Sequence, residues 1–434
     1  MKIEKNNIII NQNLIEEKKI YCKSDRAITL IALVVTIIVL LILAGVTINS
    51  VVGSDGVIKK SKVALNQYKK SEGEEEVSIK NLENVVDKHE KDSQENFLKS
   101  AEYATNTDMY SDGTSLAVIP AGFTVYGMAS EKKISSGLVI YKGDLSKADW
   151  EKGTDTSGNY IKRTYNQYVW IPCSEEEYKR TEWGVEEDKY PDVSGLPNSR
   201  ASKDETTLGS VTLSDYDKGN GITSNILNEI VSQISIEKKS VKKYGGFYIG
   251  RYEVGEGNVI SQYKEPFTSL IWSKAYANAK NIDVGSASVS YLSSSYARDT
   301  ALNFIQNNSE FKTYASSRSN GSNGTDINEN WQDKNVTYTN ANGDQQTKDA
   351  GTPTRLQTGV TTAKCNIYDM GGNVAEFTTE LNPTEGDSDA TVVLHGGSYE
   401  GTDVWQTSPA GSRWDAGSGS VTDSRGFRAT LFIQ

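Results

Sequence analysis

An uncharged apolar stretch near the start of the chain limits the fold more than any other feature. Residues 27–48 read AITLIALVVTIIVLLILAGVTI, which is 22 residues without a charge. As an α-helix they reach about 33 Å, enough to cross the hydrocarbon core of a bilayer. The stretch is too long for the apolar part of a cleavable secretory signal, which spans about 7–15 residues. The sequence therefore predicts one membrane-spanning helix.

The residues around this stretch predict its orientation. Residues 1–26 are polar. Four basic residues lie close to the membrane edge: Lys18, Lys19, Lys23 and Arg26. Such residues favour the cytoplasmic side, although Lys59, Lys60 and Lys62 beyond the helix reduce the asymmetry. We therefore expect a single-pass protein of the cell membrane whose C-terminal part is extracellular.

The same region contains a recognisable processing pattern. A basic leader ends in the small residue Ala27, and Ile28-Thr29-Leu30-Ile31 opens the apolar helix. This pattern resembles type IV pilins, and most of all the pilin-like proteins of Gram-positive anaerobes. The resemblance implies a prepilin leader, residues 1–27, cut between Ala27 and Ile28. Pilins usually have Gly before the cut and Glu at the fifth mature position, where this chain has Ala32. Ala32 weighs against assembly into a regular filament.

Beyond the predicted membrane helix, 28–48, the composition of the chain changes twice. Residues 49–104 are charge-dense and contain no proline, which predicts a helical stalk. The stalk is either a solvated spacer or a packing face for other pilin-like subunits. From residue 105 onward, short apolar strings alternate with Gly, Ser, Asn and Asp, which is typical of strands and turns. Residues 105–165 are interpreted as a β-rich linker domain.

Strands and helices beyond residue 105 can be located from the apolar pattern. Strands are predicted at 116–119, 123–126, 137–141, 168–171 and 247–252. Helices are predicted at Thr223–Ile236, Ser273–Asn281 and Ser295–Asn307. We expect 168–172 and 247–252 to be adjacent strands, so about 174–243 is interpreted as an insertion. Residues 317–352 are interpreted as a long irregular surface region. The predicted fold class is α+β.

Six short motifs stand in order along the second half of the chain. They are Val169–Pro172, Gly246–Val254, Pro266–Trp272, Ile367–Thr378, Leu394–Tyr399 and Arg425–Arg428. Together they resemble the formylglycine-generating enzyme (sulfatase-modifying factor) family over residues 166–434. The resemblance implies a C-type-lectin-like fold with much irregular structure.

The chain departs from this family at the residues that carry catalysis. The family's oxidase holds copper with two cysteines before its closing motif, but residues 398–425 contain no cysteine. A soft thiolate site cannot be built from Ser, Asp, Trp and Thr. A related branch uses three histidines to hold iron, and this chain has only His89 and His395. We therefore expect no copper and no enzymatic activity.

A structural calcium site is the cofactor that the resemblance still implies. The family's calcium-binding positions match Asp369, Gly372, Val374 and Glu376. Two carboxylates and two backbone carbonyls in one tight loop suit a hard, oxygen-seeking cation. The alternative is that Asp369 caps a turn and Glu376 forms a buried ion pair with Arg428. Cys173 and Cys365 are expected to be buried and free, with pairing as the alternative.

The stretch from Ser398 to Ser424 has the composition of a recognition surface. It is rich in Ser, Gly, Thr and Asp, with aromatic and arginine residues between them. The candidate ligand-binding residues are Tyr399, Asp403, Trp405, Arg413, Trp414 and Asp415. The alternative is an ordinary surface loop with the tryptophans packed beneath it. Proteins that are diversified by a retroelement use the same lectin-like fold, with variable codons just before the closing motif, which makes this stretch a candidate target.

These observations predict a surface-displayed, membrane-anchored binding protein of the adhesin or receptor type. Its ligand is an unknown protein or glycan. The formal charge of −11 argues against nucleic acid and favours neutral polar ligands over anionic ones. Two alternatives remain, which are a minor pilin with a structural role and, less favoured, a formylglycine-generating oxidase.

Overall fold

The computed structural model describes most of the chain beyond residue 102. The described residues are 103–181, 183, 204–308, 310–316, 330–332, 334–381, 392–400 and 409–434. The predicted leader with Ala27 and Ile28, the membrane helix 28–48 and almost all of the stalk lie outside them. Within the described residues, no helix combines the length and hydropathy needed to cross a bilayer.

The described chain is a mixed α/β protein, rich in strands and irregular structure. Its strands are β1 (Asp108–Ser111), β2 (Leu116–Ile119), β3 (Phe123–Thr124), β4 (Val139–Lys142), β5 (Gln167–Pro172), β6 (Gly246–Gly250), β7 (Ser288–Leu292), β8 (Val336–Thr339), β9 (Gln345–Lys348), β10 (Ala375–Leu381), β11 (Val392–His395), β12 (Arg413–Ala416), β13 (Arg425–Phe427) and β14 (Ala429–Ile433). Its helices are α1 (Lys147–Lys152), α2 (Ile161–Thr164), α3 (Asp215–Gly219), α4 (Ser224–Tyr244), α5 (Trp272–Lys280) and α6 (Ser295–Gln306). Short 3₁₀ turns occupy Ala129–Lys132, Ile134–Ser136 and Glu205–Ser210.

A six-stranded antiparallel sheet forms the centre, in the order β3-β4-β5-β6-β14-β7. Its middle strands are buried on both faces, so they read as continuous apolar runs rather than as an alternation. Successive residues point to opposite faces. Thus Trp170 and Tyr248 belong to one hydrophobic cluster, whereas Phe247 and Phe432 belong to the other.

Helices cover both faces of this sheet. The long helix α4 packs on β6 and β14, and its apolar stripe includes Leu227, Ile230 and Ile234. The Thr223 side chain accepts a hydrogen bond from the backbone N–H of Ile226 and caps the start of the helix. Helix α6 packs on β5 and β10, and helix α5 packs on β7, β10 and β13.

A second, four-stranded sheet has the order β12-β11-β10-β13. Strands β10, β11 and β12 are antiparallel neighbours, while β13 runs parallel to β10. Strand β13 passes directly into β14 of the central sheet, and Arg428 is the single residue between them. The two sheets are therefore joined at Arg428, the last residue of the closing motif that the sequence analysis singled out.

Most of the elements predicted from the sequence are present. The structure confirms adjacent antiparallel strands at 167–172 and 246–250, with Trp170 opposite Tyr248. Helices α5 and α6 lie within one residue of their predicted bounds. Helix α4 continues to Tyr244 because its apolar stripe resumes at Val241 and because Gly245 adopts φ 74°, the left-handed geometry that ends a helix.

Two predicted regions are organised differently from the expectation. Strands β3 and β4, from the predicted linker domain 105–165, pair into the same sheet as β5. The predicted boundary at residue 166 therefore falls inside one sheet. Within 317–352, residues 336–348 form a β-hairpin rather than an irregular loop. Its turn is specified by Asn340, whose side-chain oxygen accepts hydrogen bonds from the backbone N–H groups of Asn342 and Asp344.

Candidate ligand-binding face

The candidate ligand-binding segment, residues 396–424, begins and ends on the same four-stranded sheet. It leaves β11 after His395, returns through β12 and enters β13 at Arg425. Residues 401–408 lie outside the described residues, and they include the predicted ligand residues Asp403 and Trp405. The four other predicted residues can be placed individually.

Arg413 is part of the protein interior and not of an exposed face. Its side chain is 8% exposed. Its Nε donates to both carboxylate oxygens of Glu380 at 2.9 and 3.0 Å, and its Nη2 donates to Asp299 at 2.5 Å. Its Nη1 donates to the backbone oxygen of Thr181 at 3.1 Å. Because protein acceptors already take up these donors, the role of ligand anchor predicted for Arg413 is wrong.

His395 shares Glu380 with Arg413. The His395 Nε2 lies 2.9 Å from the carboxylate of Glu380, and both side chains are fully buried. Burial and the neighbouring guanidinium of Arg413 lower the pKa of His395 to about 3, so the imidazole is neutral at physiological pH. Despite burial, Arg413 and the hydrogen bond from His395 hold the pKa of Glu380 at about 2. This network attaches the start of the segment to the core.

Tyr399 also faces inward. It is 5% exposed, and its backbone N–H donates to the carbonyl of Asn373 at 2.8 Å. Its side chain is hydrogen-bonded to Asp423 near the other end of the segment. Burial and this carboxylate raise the pKa of Tyr399. Tyr399 therefore ties the two ends of the segment together.

Trp414 and Asp415 are the predicted residues that remain partly accessible. Both are half-buried on β12, opposite Leu394 and Val393 of β11. The indole Nε1 of Trp414 donates to the carbonyl of Gly396 at 2.9 Å. The guanidinium carbon of Arg425 lies 5.4 Å from the centroid of the Trp414 ring. The remaining half-exposed or exposed positions of the segment are Glu400, Gly417, Gly419, Ser420, Val421, Thr422 and Asp423.

The loop that was predicted to bind calcium is held by arginines. The Nε of Arg428 donates to one oxygen of Glu376 at 2.9 Å, its Nη2 forms an ion pair with the same oxygen at 2.6 Å, and Arg298 donates to the other oxygen. Arg428 also donates to the carbonyls of Tyr368 and Asp369, at 2.7 and 3.1 Å. The buried ion pair between Arg428 and Glu376, which the sequence offered as the alternative, is thereby confirmed.

Asp369, the other predicted carboxylate ligand, is likewise engaged within the protein. One carboxylate oxygen of Asp369 accepts a hydrogen bond from the Thr361 hydroxyl at 2.6 Å. The backbone N–H of Val374 donates to Glu253, and a side chain added at Gly372 would lie 2.9 Å from the backbone oxygen of Asn330. Among the described residues, no three His, Cys, Asp or Glu side chains are grouped to hold a metal ion. Because two guanidiniums already neutralise Glu376, the residues present do not fit the predicted calcium site.

The two cysteines in the described residues behave as one of the two alternatives predicted. Cys173 and Cys365 are buried and free. Burial raises the pKa of Cys173 to about 12 and that of Cys365 to about 11, so both are protonated thiols at neutral pH. Such thiols are unreactive.

Several charged residues around this face could not be recognised from the sequence. Glu380, Asp299 and Arg298 are buried, and each carries an ion pair of the network described above. They come from β10 and α6, and no sequence spacing connects them to Arg413 or Glu376. The one signal in the sequence was a charged residue inside an otherwise apolar pattern. Such a residue indicates a buried ion pair but does not identify its partner.

Comparisons with known proteins give limited similarity. No family model matches the chain, and no curated protein matches it. Similar solved structures include "Crystal Structure of CarF", at 15% identity and a TM-score of 0.29, covering 44% of this chain and 87% of that one. "Major Tropism Determinant I1 Variant" is 14% identical with a TM-score of 0.27, covering 44% of this chain and 52% of that one. "Treponema denticola variable protein 1" is 13% identical with a TM-score of 0.21, covering 62% and 85%. These identities and scores are too low to assign a fold or a function to the chain.

Proposed function

We propose that this chain is a surface-displayed, membrane-anchored binding protein of the adhesin or receptor type. A pilin-like helix at 28–48 would anchor it, and a C-type-lectin-like domain would present the candidate ligand-binding segment to a protein or glycan outside the cell. No catalytic step is assigned, because the cysteine pair of the oxidase family is missing from 398–425.

One observation carries this proposal, which is the separation of anchoring residues from accessible ones within the segment. Arg413, Tyr399 and Ser418 are buried and bonded to the rest of the protein, and the Ser418 hydroxyl donates to Asp217 at 2.9 Å. Asp415, Ser420, Val421 and Thr422 reach solvent, and Trp414 and Asp423 do so while also bonding to Gly396 and Tyr399. Side chains at such positions can change without unfolding the scaffold, which is how binding loops on rigid frameworks work.

An adhesion assay tests the binding function. Cells that display the full chain are compared with cells that display Val421→Lys or Tyr160→Lys. Val421 is 53% exposed within the segment, and Tyr160 is 56% exposed outside it, so the two changes match in exposure and introduced charge. We expect Val421→Lys alone to reduce adhesion to the natural target surface. Equal adhesion by all three populations would contradict the proposed face.

Sequencing of the 3′ end of the gene across a natural population tests the diversification of the segment. We expect changes at Trp414, Asp415 and 419–423, with constancy at Arg413 and Ser418. A uniform low rate would remove the retroelement hypothesis and leave a binding protein with one ligand. Loss of pili on deletion of the gene would instead favour the alternative of a minor pilin.

A further inference from the structure

Arg425 stands at the accessible end of the candidate ligand-binding face. It opens β13 opposite Ala375 of β10, and it is half-buried. Its guanidinium lies over the ring of Trp414. Since the Trp414 indole N–H is bonded to Gly396, the ring is held in one orientation beneath the guanidinium. Arg425 is therefore a positioned charge rather than a freely moving surface side chain.

The hydrogen-bonding groups of Arg425 are not satisfied by the protein. Its Nε and Nη1 atoms are buried, and neither has a hydrogen-bond partner among the described residues. Burial lowers the pKa of Arg425, and the nearby carboxylate of Glu400 opposes this effect. Buried donors without acceptors are uncommon because each costs the lost hydration of the group. Arg298, Arg413 and Arg428, by contrast, each donate to a carboxylate.

The carboxylate of Glu400 acts directly on Arg425, and Asp423 and Arg355 lie further along the same chain of contacts through Tyr399. Arg355 donates to the Thr268 hydroxyl at 2.5 Å and to the carbonyl of Asp423 at 3.1 Å. Asp423 is bonded to Tyr399, and Glu400 acts electrostatically on both Tyr399 and Arg425. A ligand at this place would meet one unsatisfied guanidinium and, close by, carboxylates that accept hydrogen bonds. A highly charged anion such as a phosphate would be repelled by those carboxylates and by the net charge of −11.

We propose that Arg425 binds the carboxylate of an acidic sugar, while Glu400 and Asp423 accept hydrogen bonds from its hydroxyl groups. A carboxylate placed against the edge formed by Nη1 and Nη2 of the guanidinium accepts two parallel hydrogen bonds, one of them from the unpartnered Nη1. This proposal rests on the proposed function and names its ligand class. It replaces the expectation from net charge alone that the ligand is neutral, because local donors and acceptors decide recognition.

Matched sugar pairs test the proposal on the full-length chain in detergent. Methyl β-D-glucuronide is compared with methyl β-D-glucoside, and 3′-sialyllactose with lactose, by saturation-transfer NMR up to about 10 mM, a range that includes weak binding. The first pair differs only in a carboxylate against a hydroxymethyl group, and the second differs by a whole sialic acid residue. We expect at least one acidic sugar to bind about tenfold more tightly than its neutral counterpart.

Substitutions in the chain test whether Arg425 causes the preference for the acidic sugar. Arg425→Gln should abolish the preference for the acidic sugar, and Arg425→Lys should retain only part of it, because an ammonium lacks the planar fork. Arg163→Gln is the matched control, since Arg163 also lies over aromatic rings, 4.4 Å from Tyr160 and 5.1 Å from Tyr263. It should leave the preference unchanged. A circular dichroism spectrum of each variant verifies folding.

Three results with the sugars would overturn the proposal. They are equal binding within each sugar pair, an acidic preference that survives Arg425→Gln, and no binding of either acidic sugar. Binding of a polyglutamate peptide without any sugar would also overturn it, in favour of a protein ligand. In each case a loss of adhesion by Val421→Lys would leave the proposed binding function standing, so the two failures can be distinguished.

Discussion

Arg413 and Arg425 begin the two edge strands of the same sheet, and they differ in what the protein offers their guanidinium groups. Arg413 on β12 is buried and bonded to Glu380, Asp299 and the carbonyl of Thr181. Arg425 on β13 is half-buried, lies over Trp414 and leaves two buried nitrogens without acceptors. The first residue is held by protein acceptors, and the second is the one that we propose for ligand binding.

Residue type and position in the chain therefore do not distinguish an arginine that holds the structure together from one that can contact a ligand. Arg413 lies within the polar segment 396–424 and Arg425 directly follows it, and composition alone favoured Arg413 as a ligand residue. The separation comes from carboxylates that other elements bring to one arginine and not to the other. Breaking the first set of contacts should therefore damage stability, whereas breaking the second should damage binding.

Replacing Arg413 should have the largest effect. Arg413→Met leaves the buried carboxylates of Asp299 and Glu380 without their main cation, which costs about 3–5 kcal/mol of unfolding free energy. Chemical denaturation followed by circular dichroism measures this loss. Arg163→Met, at a half-exposed arginine, is the control and should change stability by less than about 1 kcal/mol. An unchanged stability together with lost adhesion would restore Arg413 as a ligand residue.

The pH dependence of the unfolding free energy should show an effect smaller than that of Arg413→Met and larger than that of Arg425→Gln. Burial raises the pKa of Glu205 and of Glu237 to about 7, so each binds a proton in the folded state that the unfolded chain releases near pH 4.5. A group whose pKa is higher in the folded than in the unfolded protein stabilises the fold at pH values below its unfolded pKa. This stabilisation is lost as the pH rises toward 7. His395, with its pKa lowered to about 3, acts in the opposite direction between pH 3 and 6.5.

The combined effect of Glu205 and Glu237 exceeds the opposite effect of His395. The unfolding free energy should therefore fall as the pH rises from 4.5 to 7. The slope should be of the order of 1 kcal/mol per pH unit, which denaturation at a series of pH values measures. Glu205→Gln keeps an acceptor for the backbone N–H of Ser295 and removes one titration, so it should flatten the slope. A slope that the variant does not change would show that Glu205 is ionised in the folded protein.

Replacing Arg425 should have the smallest effect on stability. Arg425→Gln removes buried donors that lack acceptors, so the unfolding free energy should change by less than about 1 kcal/mol in either direction. The same denaturation experiment as for Arg413→Met provides the comparison. A loss as large as that of Arg413→Met would mean that Arg425 belongs to the scaffold and would remove the contrast between the two residues.

Local patterns were enough to predict much of the fold. The adjacent strands at 168–172 and 247–252 and the helices α5 and α6 follow from apolar periodicity within single segments. The prediction failed where pairing between distant segments decided the outcome. The short strands β3 and β4 join the central sheet through β5, and no periodicity in residues 105–165 reveals a partner in another segment.

The sequence by itself determined the mixed helix and strand character of the described residues and the absence of cysteine from 398–425. The membrane-spanning helix at 28–48 and the recognition role of 398–424 stay predictions from the sequence. These depend on composition and on spacing between near neighbours, which the chain displays directly. Only the tertiary structure decided that Glu376 pairs with two arginines, that Arg413 is internal and that Arg425 is unsatisfied. The physical reason is that the environment of a buried charge depends on groups that are distant in sequence. Arg413 and Asp299, for example, are more than one hundred residues apart in the chain.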